Sequence, residues 1–306
     1  MIRVLVIGGT GLIGPWVLSG LQELEPAVDL WVMNRRAQGP DSVTALSGDR
    51  HDPAAVRAAL DVAQPEVLID MIAFTSAEAE ATVEVLREHG APTRTVAVSS
   101  ADVYEAFSRL NRLIGGPPET EPITEASPLR VGEGAQGAAY DKLAVEQVYA
   151  AALENVAVLR LPAVYGWPDQ SRIEAYAGPM LDGVEEIALH PRLAGWRFAR
   201  VLNRNAGHAV ALAALGDWSG FCAWNVAEPV SPTEAQWVAR IGQAVGWRGQ
   251  IVESDAVEPP GFDADQPIIL SDARIRSELG YHERHDPEQG LRDAVRRYAE
   301  FRARKS

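Results

Sequence analysis

A glycine-rich turn between an apolar strand and a helix is the feature that most constrains the fold of this chain. Val4 to Ile7 is short, apolar and β-branched, as expected of a fully buried strand. Gly8, Gly11 and Gly14 follow at intervals of three, and apolar residues recur at helical spacing from Leu12. Such glycines let the backbone approach a pyrophosphate, and the start of the next helix presents N–H groups to it. The turn therefore predicts a dinucleotide site, with contacts from Gly8, Thr10, Gly11, Leu12, Ile13 and Gly14.

Strands and helices alternate through the first half of the chain, and the predicted strands are apolar. Apolar strands that alternate with helices predict an α/β fold, a doubly wound parallel sheet of the Rossmann type, which binds ligands at the carboxyl ends of its strands. After the first strand, the pattern predicts strands at 28–33, 43–47, 67–71, 95–98 and 156–161, and helices at 53–60, 76–89 and 138–153.

Beyond Tyr165 the alternation loosens, which predicts a smaller C-terminal substrate lobe. Its helices are predicted from a capping box at Ser231 to about Val245, over 272–279, and from Asp286 to about Arg302. We predict a dinucleotide-binding domain of residues 1–168 plus about 200–228, and a substrate lobe of about 169–199 plus 229–306. A loop between Glu105 and Gln136 is rich in proline and glycine and long for a structureless connection, which predicts a lid or binding segment.

Composition excludes several classes of protein. The formal net charge of −14 argues against sequence-independent binding of nucleic acid, which depends on neutralising phosphates. The apolar N-terminal run is too short for a signal peptide, and no apolar stretch is long enough to span a membrane. The single cysteine, Cys222, excludes an internal disulfide and a cysteine-based metal site. We expect a cytoplasmic protein with a small-molecule substrate and without a metal, membrane or nucleic-acid partner. The sequence does not decide whether the protein forms a homodimer.

The residues after the second predicted strand distinguish between the two nicotinamide cofactors. Asn34 lies twenty positions after Gly14, where an NAD site has a carboxylate for the ribose 2′-hydroxyl. Arg35 and Arg36 follow instead, and guanidinium groups bind a 2′-phosphate bidentately. This favours NADP(H) over NAD(H). Asp49 is predicted either to accept a hydrogen bond from the adenine or to cap a turn, and the predicted cofactor contacts also include Arg50, Ala73 and Pro162.

Several motifs together resemble the extended short-chain dehydrogenase/reductase superfamily, in its NAD-dependent epimerase/dehydratase group. The resemblance runs over nearly the whole chain and is specific for fold and cofactor rather than for substrate. Asn34-Arg35 and the segment 99–104 resemble an atypical branch that includes chloroplast stem-loop-binding relatives. The motifs are Gly8 to Gly14, Gly48-Asp49, Val98 to Tyr104, Tyr140-Asp141-Lys142 with Glu146, Leu159 to Gly166, Asn225 to Pro229, and Leu279 to Tyr281.

The resemblance implies a serine that binds the reacting oxygen, a tyrosine that exchanges a proton with it, and a lysine that holds the nicotinamide ribose. Ser100 and Lys142 match the serine and the lysine. The tyrosine belongs four residues before the lysine, where this chain has Ala138. Tyr140 lies only two residues before Lys142, roughly 200° around a regular helix, so both face one site only if the helix begins irregularly.

The sequence therefore predicts an NADP(H)-dependent oxidoreductase or epimerase/dehydratase-type enzyme that acts on a carbinol or carbonyl carbon of a polar metabolite. Tyr140 is the favoured acid or base, with Asp102 and Tyr104 as the next candidates. The displaced tyrosine leaves one alternative, a cofactor-binding sensor without redox chemistry. A cluster of arginines favours an anionic substrate, while interspersed acidic residues favour a solvated surface. Predicted substrate contacts are Tyr104, Trp167, Arg172, Arg197 and Arg200, with Arg192 and Arg204 in the same basic span.

Overall fold

Parallel strands form the central sheet of the computed structural model, which describes residues 1–90 and 92–305. The strands are β1 (Arg3–Ile7), β2 (Asp29–Asn34), β3 (Thr44–Ser47), β4 (Val67–Asp70), β5 (Arg94–Ser100), β6 (Val156–Leu161), β7 (Ala163–Tyr165), β8 (Glu186–Leu189), β9 (Arg200–Leu202), β10 (Phe221–Asn225) and β11 (Gln250–Glu253). The helices are α1 (Gly14–Leu24), α2 (Pro53–Ala63), α3 (Ser76–His89), α4 (Glu105–Leu110), α5 (Lys142–Ala152), α6 (Glu174–Leu181), α7 (Pro191–Ala194), α8 (Asn203–Leu215), α9 (Glu234–Val245), α10 (Ala273–Leu279) and α11 (Pro287–Ala303).

The seven-stranded sheet has the order β10-β6-β5-β4-β1-β2-β3, and every pairing in it is parallel. The chain places β2 on one side of β1 and β4 on the other, so the strand order reverses at β1. In open α/β sheets, ligands bind in the crevice beside the carboxyl ends of the strands at such a reversal. The predicted doubly wound parallel sheet is confirmed.

Alternate residues of β1 enter two different cores. Val4 and Val6 pack in a cluster with residues of α1 and α8, whereas Leu5 and Ile7 pack with residues of α2 and α3. Successive side chains of a strand point to opposite faces, so both faces of this strand are covered. A continuous apolar strand is therefore required here, and the sequence shows one.

A separate hydrophobic cluster lies toward the C-terminal half. It combines residues of α6, α9 and α11, among them Ala177, Trp237 and Leu291, and it also takes in Tyr165 and Leu202. This second core lies in the part of the chain where a smaller lobe is predicted. The boundaries of that lobe stay a prediction. Across residues 1–90 and 92–305, no helix has the length and apolar character needed to cross a bilayer.

Three local predictions are wrong in detail. The helix predicted from 138 begins at Lys142, because a 3₁₀ turn at Gly137–Ala139 and an extended Tyr140 precede it. The cap of α9 is Thr233 rather than Ser231, because the hydroxyl of Thr233 accepts the amide of Gln236. The long loop predicted after Tyr104 opens with α4, and the irregular connection follows that helix.

Candidate active site

The glycine turn after β1 has a different geometric requirement at each of its three spaced glycines. Gly8 has a φ of +90°, which disfavours any other residue. A Cβ on Gly14 would lie 2.3 Å from the backbone carbon of Gly9, so the start of α1 packs directly on the turn. A Cβ on Gly11 would meet nothing within 4 Å, and no side chain caps α1. The turn therefore offers open space beside helix N–H groups, which fits a pyrophosphate.

A cavity of about 500 Å³ opens beside this turn, and we call it the glycine-turn cavity. It brings together the predicted cofactor residues that follow β1, β2 and β3. Its wall also contains the aromatic ring of Phe74. The residues that line it include Gly8, Thr10, Gly11, Asn34, Arg35, Arg36, Asp49, Arg50, His51, Phe74 and Glu78.

Asn34 shapes the loop that carries the two predicted phosphate-binding arginines. Its Oδ1 accepts the amides of Arg36 and Gln38 at 3.1 and 3.0 Å, and its Nδ2 donates to the Gln38 carbonyl at 2.7 Å. Arg35 and Arg36 are exposed at the rim of the glycine-turn cavity. Within the described part of the chain, no hydrogen bond or ion pair engages either guanidinium. Both are therefore available to a ligand anion.

Asp49 caps a turn, the second of its two predicted roles. Its Oδ1 accepts the backbone amide of His51 at 3.0 Å and contacts the His51 ring at 2.9 Å. The other nitrogen of that ring contacts Glu78 at 2.8 Å. The backbone hydrogen bond from His51 lowers the pKa of Asp49, and the hydrogen bond to Asp49 raises the pKa of His51. Residues 49, 51 and 78 thus form a polar wall of the cavity.

Arg50 borders the glycine-turn cavity, but its guanidinium is not free to contact a cofactor. The group is buried and donates to Asp70 at 2.9 Å, to the Glu78 carbonyl and to the Thr82 hydroxyl. The hydroxyl of Tyr149 also donates to Asp70, at 2.5 Å. The predicted cofactor role of Arg50 is corrected to a supporting one, because its two terminal nitrogens donate beneath the cavity and its Nε is buried. The partner of Arg50, Asp70, is recognisable in the sequence as a carboxylate at the end of an apolar strand.

A second cavity, of about 310 Å³, lies at the end of β5, and we call it the Ser100 cavity. It is formed by segments that are far apart in the sequence. The structure brings four predicted site residues to it together with Arg172. Its lining includes Ser100, Asp102, Phe107, Asn111, Leu113, Arg130, Gln136, Tyr140, Pro162, Arg172 and Phe198.

The irregular start of α5 places Tyr140 at this cavity. Tyr140 has an extended backbone, and Asp141 then caps α5 by accepting the amide of Ala144 at 3.0 Å. The Tyr140 side chain lines this cavity together with Ser100, whose hydroxyl lowers the Tyr140 pKa, and its ring stacks on Phe74 with the centroids 5.7 Å apart. Burial and the charge of Asp102 raise the pKa of Tyr140. Ala138, where the family pattern has its tyrosine, is exposed.

Lys142 is buried beneath the stacked rings. Its Nζ donates to the carbonyls of Ala73 and Val98 at 2.6 and 2.9 Å and lies 4.6 Å from the Phe74 ring centre. The Tyr140 ring centre is 5.7 Å away. Burial lowers the pKa of Lys142 to about 8, against the opposing charge of Asp70. Lys142 and Tyr140 therefore share one site, although only two residues separate them.

Lys142 does not form an ion pair with Glu146, which lies four residues later in the chain. Glu146 is buried and pairs with Arg160, at 2.7 Å, and it also accepts the hydroxyl of Ser99. Arg160 in turn donates to the hydroxyl of Tyr104 at 2.9 Å. This polar network supports the end of β5 from behind.

The structure removes Tyr104 from the predicted site. Its side chain is fully buried, and its hydroxyl donates to Asn225 at 2.7 Å. Burial raises the pKa of Tyr104 to about 12. Trp167 is also displaced: its ring packs against Phe301 and borders a different, smaller cavity.

Of the five arginines in the predicted basic span, Arg172 alone lines the Ser100 cavity among the described residues. The other four have partners elsewhere, so the expected convergence on a cleft is wrong. Arg200 is buried against Glu234, and Arg197 donates to the Ser231 carbonyl. Arg192 and Arg204 pair with Asp263 and Asp293, respectively.

Arg130 is the cavity residue that sequence reasoning missed. It is 3% exposed and pairs with Asp141, yet its Nε has no hydrogen-bond partner. Asp102, also at this cavity, has a buried Oδ1 without a partner. Burial raises the pKa of Asp102 to about 6, against the lowering effect of Arg130. No motif marked Arg130, because it lies in the irregular loop that follows α4.

Comparisons with known proteins identify a family and a shared fold. The model of the NAD dependent epimerase/dehydratase family matches residues 4–197. A 2'-dehydrokanamycin reductase from Streptomyces kanamyceticus is 30% identical over 172 residues, which cover 54% of this chain and only 43% of that protein.

Two solved structures share the fold over nearly their whole length. A putative epimerase from Burkholderia cenocepacia J2315 has a TM-score of 0.76 at 18% identity, covering 98% of both chains. The UDP-glucose 4-epimerase of Thermus thermophilus, in complex with NAD, has a TM-score of 0.72 at 22% identity, covering 97% of this chain and 99% of that one. With the family model, the glycine turn and the parallel sheet in agreement, the chain belongs to the NAD-dependent epimerase/dehydratase family.

Proposed function

We propose that this enzyme uses NADP(H) and acts on a carbinol or carbonyl carbon of a polar metabolite, with Tyr140 as its proton donor. The observation that carries this proposal is the late start of α5, which brings Tyr140 to Ser100 and Lys142. Membership in an enzyme family favours catalysis over the alternative of a sensor without redox chemistry. A reductase among the relatives is consistent with the same reaction class.

The glycine-turn cavity fits the cofactor, because the space beside Gly11 is open to a ligand. In any other residue a side chain would occupy that space. The turn Gly8 to Gly14 would hold the pyrophosphate. Lys142, with Ala73 and Pro162 nearby, would hold the nicotinamide end. When bound, the cofactor supplies or accepts a hydride.

Ser100 and Tyr140 divide the work at the substrate oxygen. The Ser100 hydroxyl would donate a hydrogen bond that polarises the carbonyl, and Tyr140 would donate the proton that the alkoxide needs. Tyr140 is protonated at neutral pH and so has a proton to donate, while burial and the charge of Asp102 raise its pKa and weaken it as an acid. Lys142 carries its positive charge close to both rings, which favours the anionic form of Tyr140 after transfer.

The preference for NADP(H) follows from Arg35 and Arg36, which are exposed and unpaired at the cavity rim among the described residues. Isothermal calorimetry should give a lower Kd for NADP⁺ than for NAD⁺. The Arg35→Ala/Arg36→Ala variant should lose roughly tenfold or more in NADP⁺ affinity, since a charged hydrogen bond contributes about 1.5–3 kcal/mol. Its affinity for NAD⁺ should stay within about threefold.

Arg248→Ala is the matched control, because Arg248 is exposed on a separate surface cavity. It should leave both affinities unchanged. Tighter binding of NAD⁺ than of NADP⁺ by the unmodified enzyme would refute the cofactor preference. Absence of NADPH oxidation across a panel of ketones, hydroxy ketones and sugars would refute the proposed reaction class.

A further inference from the structure

One aromatic ring connects the two cavities. Phe74 lies in the turn between β4 and α3 and is 39% exposed, so it contributes little to a hydrophobic core. It lines the glycine-turn cavity, and its ring stacks on Tyr140, which lines the Ser100 cavity. The Phe74 ring therefore joins the wall of one cavity to the phenol that faces the other.

Carboxylates at both ends of this turn fix the backbone that carries the ring. The Oδ1 of Asp70, at the end of β4, accepts the amides of residues 72 and 73, both at 3.0 Å. The Oε2 of Glu78, in the first turn of α3, accepts the amides of residues 74 and 75 at 2.6 and 3.0 Å. Hydrogen bonds from amides to an ionised carboxylate are strong, so the position of the Phe74 backbone is well defined.

Phe74 contacts three consecutive residues at the start of α5, each in a different way. Its ring stacks on that of Tyr140 with 27° between the planes. Its carbonyl accepts the amide of Asp141 at 2.7 Å. Its ring centre lies 4.6 Å from the Nζ of Lys142, which also donates to the Ala73 carbonyl at 2.6 Å. The turn thus holds the proton donor and the lysine in one arrangement.

Tyr140 needs such an external contact because no helix confines its side chain. It has an extended backbone and precedes α5, whereas a side chain within a helix is restricted by the preceding turn. Gly137, three residues earlier, has a φ of +67°, and a Cβ there would meet nothing within 4 Å. The segment before Tyr140 therefore does not press its ring into place, and among the described residues Phe74 supplies the one aromatic ring that stacks on it.

We propose that Phe74 is a positioning residue for the proton donor: its ring holds the Tyr140 phenol beside Ser100 and Lys142, in place of the helix turn that Tyr140 lacks. This inference rests on the proposed function for the chemical role of Tyr140. In the described part of the chain, the lining of the Ser100 cavity does not include Phe74, and its ring has no proton to exchange, so Phe74 acts through Tyr140.

The first test reads the position of Tyr140 without substrate or turnover. The enzyme is labelled with 3-fluorotyrosine, and the fluorine NMR signal of Tyr140 is identified by its absence from Tyr140→Phe. Phe74→Leu keeps an apolar side chain but removes the ring, so the Tyr140 signal should move toward that of free 3-fluorotyrosine. Phe221→Leu removes a similarly exposed ring from the edge strand β10 and is the matched control, which should leave the signal in place. A Tyr140 signal that does not move in Phe74→Leu would overturn the proposal.

The second test measures turnover at saturating NADPH, with the carbonyl compound that the enzyme reduces fastest in the panel of ketones, hydroxy ketones and sugars. Phe74→Leu should lower kcat by about 10–10²-fold, because small displacements of a reacting group have effects of this size. Phe74→Tyr keeps the stacked ring and should retain kcat. Equal losses in the leucine and tyrosine variants, or no loss in Phe74→Leu, would overturn the positioning role.

A double variant separates an effect through Tyr140 from a general loss of structure. Once Tyr140→Phe has removed the phenol, adding Phe74→Leu should lower the residual kcat by no more than about twofold, because coupled residues are not additive. The same fold loss in both backgrounds would overturn the proposal, since the ring would then act on the fold or the cofactor. Full turnover by Tyr140→Phe would instead refute the proposed function, and the fluorine signal would still decide whether Phe74 positions the Tyr140 ring.

Discussion

The two cavities of this enzyme are built in different ways. The glycine-turn cavity depends on backbone conformation in short segments that directly follow β1, β2 and β3. The Ser100 cavity instead depends on side chains from segments near residues 100, 110, 130, 140, 162 and 172, held by buried polar contacts. The comparison teaches that a backbone site is specified by local spacing, whereas a side-chain site is specified by the tertiary structure.

The largest expected effect is at the Ser100 cavity. Tyr140→Phe should lower kcat by about 10²–10⁴-fold, the usual contribution of a general acid, with little change in cofactor affinity. Steady-state NADPH oxidation and calorimetry measure the two quantities. Adding Ala138→Tyr to this variant should not restore turnover, because position 138 is exposed. Turnover within threefold of the unmodified enzyme would remove Tyr140 as the proton donor.

The buried polar network behind β5 supports the Ser100 cavity, and breaking it should strongly lower the free energy of unfolding. Glu146→Ala leaves the guanidinium of Arg160 buried without its carboxylate, which costs about 3–5 kcal/mol. Urea unfolding measures the loss. Glu88→Ala breaks the exposed pair with Arg57 and should cost no more than about 1 kcal/mol. Equal losses in the two variants would contradict the contrast between buried and exposed pairs.

Two alanine substitutions in the glycine turn should separate stability from binding. Gly14→Ala places a Cβ against the Gly9 backbone and should lower the free energy of unfolding by about 1–3 kcal/mol or more. Gly11→Ala meets no protein atom, so its Tm should stay within a degree or two, while NADP⁺ affinity falls roughly tenfold through lost backbone approach. Unchanged cofactor affinity in Gly11→Ala would place the pyrophosphate elsewhere.

The smallest expected effect concerns the polar wall of the glycine-turn cavity. His51 has a raised pKa, so its interactions with Asp49 and Glu78 stabilise the folded state below the unfolded pKa of about 6.5 and are lost as the pH rises through the folded pKa. The His51 side chain is 66% exposed, which limits the effect to about 1 kcal/mol or less. His51→Gln should therefore destabilise slightly at pH 6 and not at pH 9, as measured by urea unfolding. A larger loss at pH 9 would contradict the sign.

Sequence reasoning predicted the fold better than the Ser100 cavity, for a physical reason. The buried strands and the capped helices are local patterns, and all six predicted strands of the first half are found within a few residues. The residue at which α5 begins is not determined by local sequence. A long-range contact helps to fix it, because the amide of Asp141 donates to the Phe74 carbonyl 67 positions earlier in the chain. Arg130 belongs to no sequence motif, so nothing in the sequence marked it as a site residue. Tyr104 belongs to a family motif, yet its side chain is buried and hydrogen-bonded to Asn225.

The late start of α5 has a consequence for recognising such enzymes in genomes. A search that demands a tyrosine four residues before the lysine tests the phase of a helix, and it passes over a chain whose helix begins at the lysine itself. Mutational drift at this junction can then erase the signature while the phenol and the ammonium stay neighbours. Classification of distant members should accordingly first compare where the helix begins and then compare the number of residues between the tyrosine and the lysine.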